Sequence, residues 1–200
     1  MHNIINNLVS IQTELKSKLK DFNKVQIIAV SKTFSKEDIL PLIKHGHAHY
    51  GENKVQESLN KWTDIKIDFP NIKLHMIGKL QTNKVKFVVP LFDYIHSLDN
   101  LKLAEKISSE QKKNNKRLKI FIQVNIGDED QKSGVSLNEL ENFYQICKNN
   151  LDLDIIGLMC IPPKNSKTNL YFSEMQKLKT ILNFKELSMG MSDDYIQAIE

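Results

Sequence analysis

Seven short apolar runs, each followed by a stretch with helical spacing, make up most of this 200-residue sequence. The runs fall at 25–31, 49–50, 72–77, 94–98, 118–124, 153–159 and 186–189. Such strict alternation leaves few architectures open. Parallel strands need a crossover between them, and the crossover helices then cover the sheet. Short connections and the lack of a Gly-rich phosphate loop predict a compact (β/α) barrel, with a doubly wound sheet as the competing arrangement. No internal repeat or low-complexity linker divides the chain, which predicts one domain over residues 1–200. An amphipathic helix over about 3–20 precedes the first run, with Ile4, Leu8, Ile11, Leu15 and Leu19 at helical spacing.

The first run predicts a strand buried on both faces, because Val25, Ile27, Ile28, Ala29 and Val30 are nearly continuous. Ser35 followed by Glu37 and Asp38 marks a helix start, with Ser35 as N-cap. Lys32 lies between, at the carboxyl end of a parallel strand, where α/β folds keep their chemistry. A lysine so placed is a candidate for Schiff-base formation with an aldehyde or ketone. The abundance of lysine in the chain, taken alone, favours a solvated loop residue. Further strand ends gather polar residues: Gly51-Glu52-Asn53, His75 to Gly78, His96 to Asp99 and Ser188 to Ser192. In a barrel these converge on one face. Asp99 reads as a helix cap, and Ser136 with Glu139 fits a capping box.

The formal net charge of +4 is spread as single lysines among acids, and Arg117 is the only arginine. That argues against nucleic acid as a partner. Lys112, Lys113, Lys116, Arg117 and Lys119 cluster, but with no interleaved aromatics to stack on bases. Cys147 and Cys160 are isolated in apolar surroundings and read as reduced core residues of a cytoplasmic protein. No signal peptide is evident, and no apolar stretch approaches a membrane span. His45, His47 and His49 alternate but fall at a helix end and the following loop, so no metal site is expected.

The strings AVSKTFS, HYGENKVQES, HMIGKLQTNKVK, QVNIGDEDQKSGV, GLMCIPP and LSMGMSDDYIQAI resemble the pyridoxal-phosphate homeostasis proteins. Those are single-domain relatives of the alanine racemase N-terminal barrel. The resemblance runs over the whole chain. It implies an α/β fold, a (β/α)8-type TIM barrel with seven strands visible and the eighth missing. Relatives continue past the final helix into one more strand carrying an Arg-Ile-Gly-Thr run, whereas Glu200 falls inside that helix.

The resemblance also implies a cofactor, pyridoxal 5'-phosphate, held as an internal aldimine on Lys32. It places Asn53, His75 and Met159 in the pocket, with Ser188 as a phosphate ligand and Met189 and Gly190 supplying amides. Asp193 and Asp194 would repel a phosphate at the helix start, which puts the anion on the 188–190 loop. The implied function is intracellular pyridoxal-phosphate homeostasis without catalysis, so no catalytic residue is assigned. The implied partners are pyridoxal-phosphate-dependent apo-enzymes, with no nucleic acid or membrane, and the chain is expected to be a monomer. The competing reading is an enzyme, either a racemase-like catalyst or a Schiff-base aldolase using Lys32 with Glu52 or Asp99 as base.

Overall fold

The computed structural model describes residues 3–129, 133–163 and 166–200. Part of the motif between Gln123 and Val135 therefore lies outside the described residues. Helix α1 (Asn3–Lys18) comes first, followed by seven strand–helix units. These are β1 (Ala29–Val30) and α2 (Lys36–Lys44); β2 (His49–Glu52) and α3 (Val55–Asp68); β3 (Lys73–Met76) and α4 (Val85–Leu91); β4 (Tyr94–Leu98) and α5 (Leu101–Asn114). Then come β5 (Lys119–Gln123) and α6 (Leu140–Gln145); β6 (Asp154–Met159) and α7 (Thr168–Ile181); β7 (Glu186–Ser188) and α8 (Tyr195–Ile199).

The seven strands form one sheet in sequence order, and every adjacent pair is parallel. The predicted α/β alternation is thus realised as an open barrel. Among the described residues β1 and β7 do not pair with each other, and they are its two edges. An eighth strand would stand between them in a closed barrel. The helical layer does bridge this seam. The Tyr195 hydroxyl of α8 donates to the Glu14 carboxylate of α1, and Lys18 lies 3.3 Å from Glu200.

Strand alternation divides the core into two faces. On the outer face Tyr50 packs against Trp62 of α3 with ring centroids 4.9 Å apart, and both are fully buried. A Cβ on Gly51 would meet Ile28 and Val30 side chains at 3.1 and 3.5 Å, which puts those residues on the other, inner face. The capping box at α2 is present. Ser35 accepts from the Asp38 amide at 3.2 Å, and the Asp38 carboxylate accepts from the Ser35 amide at 3.0 Å. That pair fixes where the chain turns from β1 into its helix.

Three local expectations are corrected. Residues 25–30 do not form a strand buried on both faces. Only Ala29–Val30 pair, and Val30 is 44% exposed, because an edge strand has a neighbour on one side alone. The cap of α5 is Asn100 rather than Asp99. The Asn100 side chain accepts from the Leu103 amide at 2.9 Å, while Asp99 accepts from the Asn100 side-chain amide. The Ser136 hydroxyl bonds the Glu139 carboxylate itself, so the two side chains satisfy each other in a turn and α6 starts only at Leu140. No helix among the described residues is long and apolar enough to cross a membrane.

Candidate functional site

Lys32 lies two residues past the end of β1 and is exposed, with no hydrogen-bond or ion-pair partner among the described residues. Its two neighbours are tied down. The Ser31 hydroxyl donates to Glu52 Oε1 at 2.8 Å, and the Ser31 carbonyl accepts from Lys61 Nζ at 2.7 Å. The Thr33 amide donates to Glu57 Oε1 at 2.7 Å, with Thr33 in a left-handed conformation at φ 69°. That amide, with Lys61 behind it, holds the Glu57 carboxyl below its usual range. Ser31 therefore turns outward to α3, and Lys32 follows it in a tight turn closed by the Phe34 amide on the Ser31 carbonyl at 3.2 Å.

The brace is built on a buried charge pair. Glu52 is fully buried, and its Oε1 accepts from Lys61 at 3.0 Å and from the Trp62 indole at 2.9 Å as well as from Ser31. Both partners come from α3 because Lys61 and Trp62 sit on its sheet-facing side, and helix and strand are joined by only Asn53 and Lys54. Glu52 Oε2 is buried with no partner. A buried carboxylate so engaged is a structural anchor, and its placement behind Ser31 removes it as a base for Lys32. This overturns the role offered to Glu52 by the aldolase reading.

Opposite β1, a chain of imidazoles crosses the inner face. His49 Nδ1 lies 3.0 Å from His75 Nε2, His75 Nδ1 lies 2.9 Å from His96 Nε2, and His96 Nδ1 lies 2.7 Å from Ser188 Oγ. The strand registers explain the contact. His75 pairs with Gly51, two residues beyond His49, and Tyr94, two residues before His96, pairs with His75. Each ring thus stands two residues further along its strand than the one before, so the chain climbs through the barrel. It runs from the first residue of β2 to the last of β7. Tyr94 stacks on His75 at 4.1 Å and Phe121 on His96 at 4.4 Å, which seals the middle from water. Burial pushes His75 down to about 2 and His96 to about 3, so both are neutral at ordinary pH.

The remaining predicted positions lie at the same, carboxyl end of the strands. Asn53 follows β2, and its Oδ1 is buried with no partner. A Cβ on Gly78 would sit 2.5 Å from the Asn53 carbonyl, so glycine is what lets the turn after β3 pass against Asn53. Met159 ends β6, is buried, and pairs in register with Ser188. Met189 is half-buried. Gly190 has φ +86° and lies so close to α8 that a Cβ would be 2.9 Å from Ala198. The amide of Met191, in turn, donates to the Asp194 carboxylate at 2.6 Å, which assigns that acid to the helix start.

His75 is reached by its two histidine neighbours rather than standing beside Lys32 as an isolated strand-end group. Sequence reasoning passed over His49 and His96 as members of this chain. The available signal was one histidine in each of three successive strands, at positions whose stagger only the register reveals. His45, His47 and His49 do not converge on a metal, since His47 Nε2 bonds the His49 carbonyl at 2.9 Å and His49 faces His75. Among the described residues no group of three or more His, Cys, Asp or Glu side chains is arranged to hold a metal ion. Arg117 is held by Asp152 in a two-pronged contact at 3.0 and 3.1 Å, away from the strand ends.

The open parallel α/β barrel, with Lys32 just past its first strand, is of the class of the alanine racemase N-terminal domain. The family described as alanine racemase, N-terminal domain, matches residues 2–200. Within it, the chain belongs to the pyridoxal phosphate homeostasis proteins. It is 37% identical over 186 residues to the pyridoxal phosphate homeostasis protein of Vibrio alginolyticus, covering 88% of this chain and 80% of that one. The solved structure of PipY from Synechococcus elongatus PCC7942 without PLP superposes with a TM-score of 0.85 at 32% identity, over 94% of this chain and 90% of that one. The same protein with PLP bound gives 0.83 at 31% identity over the same shares.

Proposed function

We propose that this chain binds pyridoxal 5'-phosphate through Lys32 and serves its intracellular homeostasis without turning over a substrate. Relatives bearing that function in their names support the reading, as does a close structural relative with the cofactor bound. The observation that carries it to these residues is Lys32 itself, a lysine without a partner whose neighbours on both sides are clamped. The fit is also visible in Asn53 Oδ1, a buried acceptor with no partner at the same end of the barrel. When bound, the cofactor supplies an aldehyde electrophile and an anionic phosphate. Lys32 provides the amine. The Ser188 hydroxyl, with the turn at Met189 and Gly190, provides the polar seat for the phosphate, and Met159 and His75 belong to the wall beneath it.

The non-catalytic part of the reading rests on what surrounds Lys32. Racemisation needs an acid or base on each face of a carbanion. Glu52 is locked behind Ser31, and Glu57 is spent on the Thr33 amide. A carrier of this kind acts as a cytoplasmic monomer that hands its cofactor to apo-enzymes.

An absorbance spectrum with pyridoxal phosphate, before and after borohydride reduction, tests the proposal. The expected result is a protonated-imine band in the wild type that reduction fixes covalently on Lys32 and that Lys32→Ala abolishes. No band at saturating cofactor, or an unchanged band in the variant, overturns the site. Racemase or transaminase turnover by a clean preparation overturns the non-catalytic reading.

A further inference from the structure

A barrel interior is ordinarily filled by branched apolar side chains. Here part of it is filled by three rings in single file, each touching the next through a ring nitrogen. A neutral imidazole has one N–H and one lone pair. A contact of about 3 Å between two ring nitrogens holds one proton, since two lone pairs or two N–H groups repel there. With His75 and His96 neutral, the direction of one hydrogen bond fixes the direction of the next.

Only two arrangements satisfy every contact. In one, His49, His75 and His96 all carry their proton on Nδ1, His96 donates to Ser188 Oγ, and the Ser188 hydroxyl is free to donate outward. In the other, Ser188 donates into His96, all three rings carry the proton on Nε2, and His49 presents an N–H at the amino end of the strands. A mixture of the two needs either a doubly protonated ring or facing lone pairs in the buried middle, and burial disfavours both.

We propose that His49, His75 and His96 are positioning residues for Ser188, and that their tautomers switch as one unit when an anion accepts a hydrogen bond from the Ser188 hydroxyl. This inference rests on reading Ser188 as the phosphate ligand. The passage from the second arrangement to the first balances without any other reactant. The Ser188 proton moves to His96 Nδ1, the His96 Nε2 proton to His75 Nδ1, and the His75 Nε2 proton to His49 Nδ1. One proton leaves His49 Nε2 to solvent, and one reaches Ser188 Oγ from solvent water on the ligand side, so the exchange with solvent leaves no net change. Binding at one end of the barrel is thereby reported at the other. The half-buried His49 faces His47, Lys73, Asp93, Tyr94 and Lys119 there, so its exposed nitrogen is read by a mixed-charge surface.

Imidazole nitrogen spectra of uniformly nitrogen-15-labelled protein read the tautomer of each ring, and the backbone amides of 188–190 report phosphate. The spectra are taken for wild type and Ser188→Ala, each with and without inorganic phosphate. The expected result is one shared tautomer ratio for the three rings in the free protein. Ser188→Ala moves all three together, and in the wild type phosphate drives all three to the Nδ1 form. Rings that differ from one another in the free protein overturn the relay, whatever phosphate does. A shared ratio that stays fixed while phosphate moves the 188–190 amides overturns the coupling. A shared ratio with no amide response overturns the proposal through the reading of Ser188, and the free-protein spectra tell that failure from the others. His75→Gln, which can both donate and accept, keeps His49 and His96 correlated, whereas His75→Phe uncouples them.

Discussion

Two buried polar clusters serve the two halves of this site, and they are built on opposite principles. The cluster behind Lys32 is charged: Glu52, Lys61 and Glu57 meet around Ser31 and Thr33. The cluster behind Ser188 is neutral: three imidazoles in a row. The charged cluster has one arrangement of its protons and one geometry, so it can only hold. The neutral cluster has two arrangements of equal hydrogen-bond count, so it can respond. On the proposed reading, the lysine that meets an electrophile has the rigid support, and the hydroxyl that answers an anion has the adjustable one.

The contrast can be broken at either end, and the largest effect belongs to the charged cluster. Glu52→Gln removes the fully buried partner of Lys61, leaving it only the part-exposed Glu57 at 3.3 Å, and is expected to cost about 3 kcal/mol in urea unfolding, the low end for breaking a buried pair. Adding Lys61→Met should recover most of that loss. A cost for the single variant below about 1 kcal/mol would show that the brace is not held by the pair.

The neutral cluster predicts acid sensitivity. The folded protein keeps His96 unprotonated to about 3 and His75 to about 2, whereas the unfolded chain takes up protons from about 6.5 downward. Stability is therefore complete above 6.5 and falls as the pH drops. The two rings contribute a slope of up to about 3 kcal/mol per pH unit. Urea midpoints that stay level between pH 6.5 and 4.5 would refute the neutral, buried assignment.

Smaller again is the effect of Ser188→Ala on phosphate or cofactor affinity. One charge-assisted hydrogen bond is worth about 1.5–3 kcal/mol, so equilibrium titration should show binding roughly 10- to 100-fold weaker. Affinity within a factor of two of wild type would exclude Ser188 from the anion's contacts. At the bottom of the scale stands Arg117→Ala. Its contact with Asp152 is solvent-exposed on both sides, and the urea midpoint should not move measurably.

Much of the architecture was legible because period and punctuation are local. Tyr94–Leu98 was readable to the residue as an apolar run closed by Asp99, and Ser35 with Asp38 announced α2 before any contact was known. Burial was less legible, since it depends on neighbours. Val25 to Val30 has the composition of a central strand and lies at an edge, and nothing within the run reveals that one flank is open. Asp99 and Asn100 are equally good caps by type, and only the backbone geometry at Asn100 separates them. At the site, Lys32, Asn53 and Ser188 were visible as polar residues at strand ends. The brace was not, because Lys61 and Trp62 look like ordinary helix residues until α3 is laid on β2. The histidine chain also lay hidden, for its members are 21 to 92 residues apart and only the stagger of the strands brings them together.

The order of strands in the sheet is the order of synthesis. Each strand emerging from a ribosome finds its pairing partner already made, one unit behind it, as in β1 with β2 between Ala29 and Tyr50. Loops closed this way are short, which favours rapid, stepwise assembly. The contact between His96 and Ser188 departs from this pattern, spanning 92 residues. It cannot form until the seventh strand has docked, so the two ends of the histidine chain become connected only after the other six strands are in place. A nascent chain has its lysine loop made well before its seventh strand, and on the proposed reading ligand capture during translation would wait for β7 to dock.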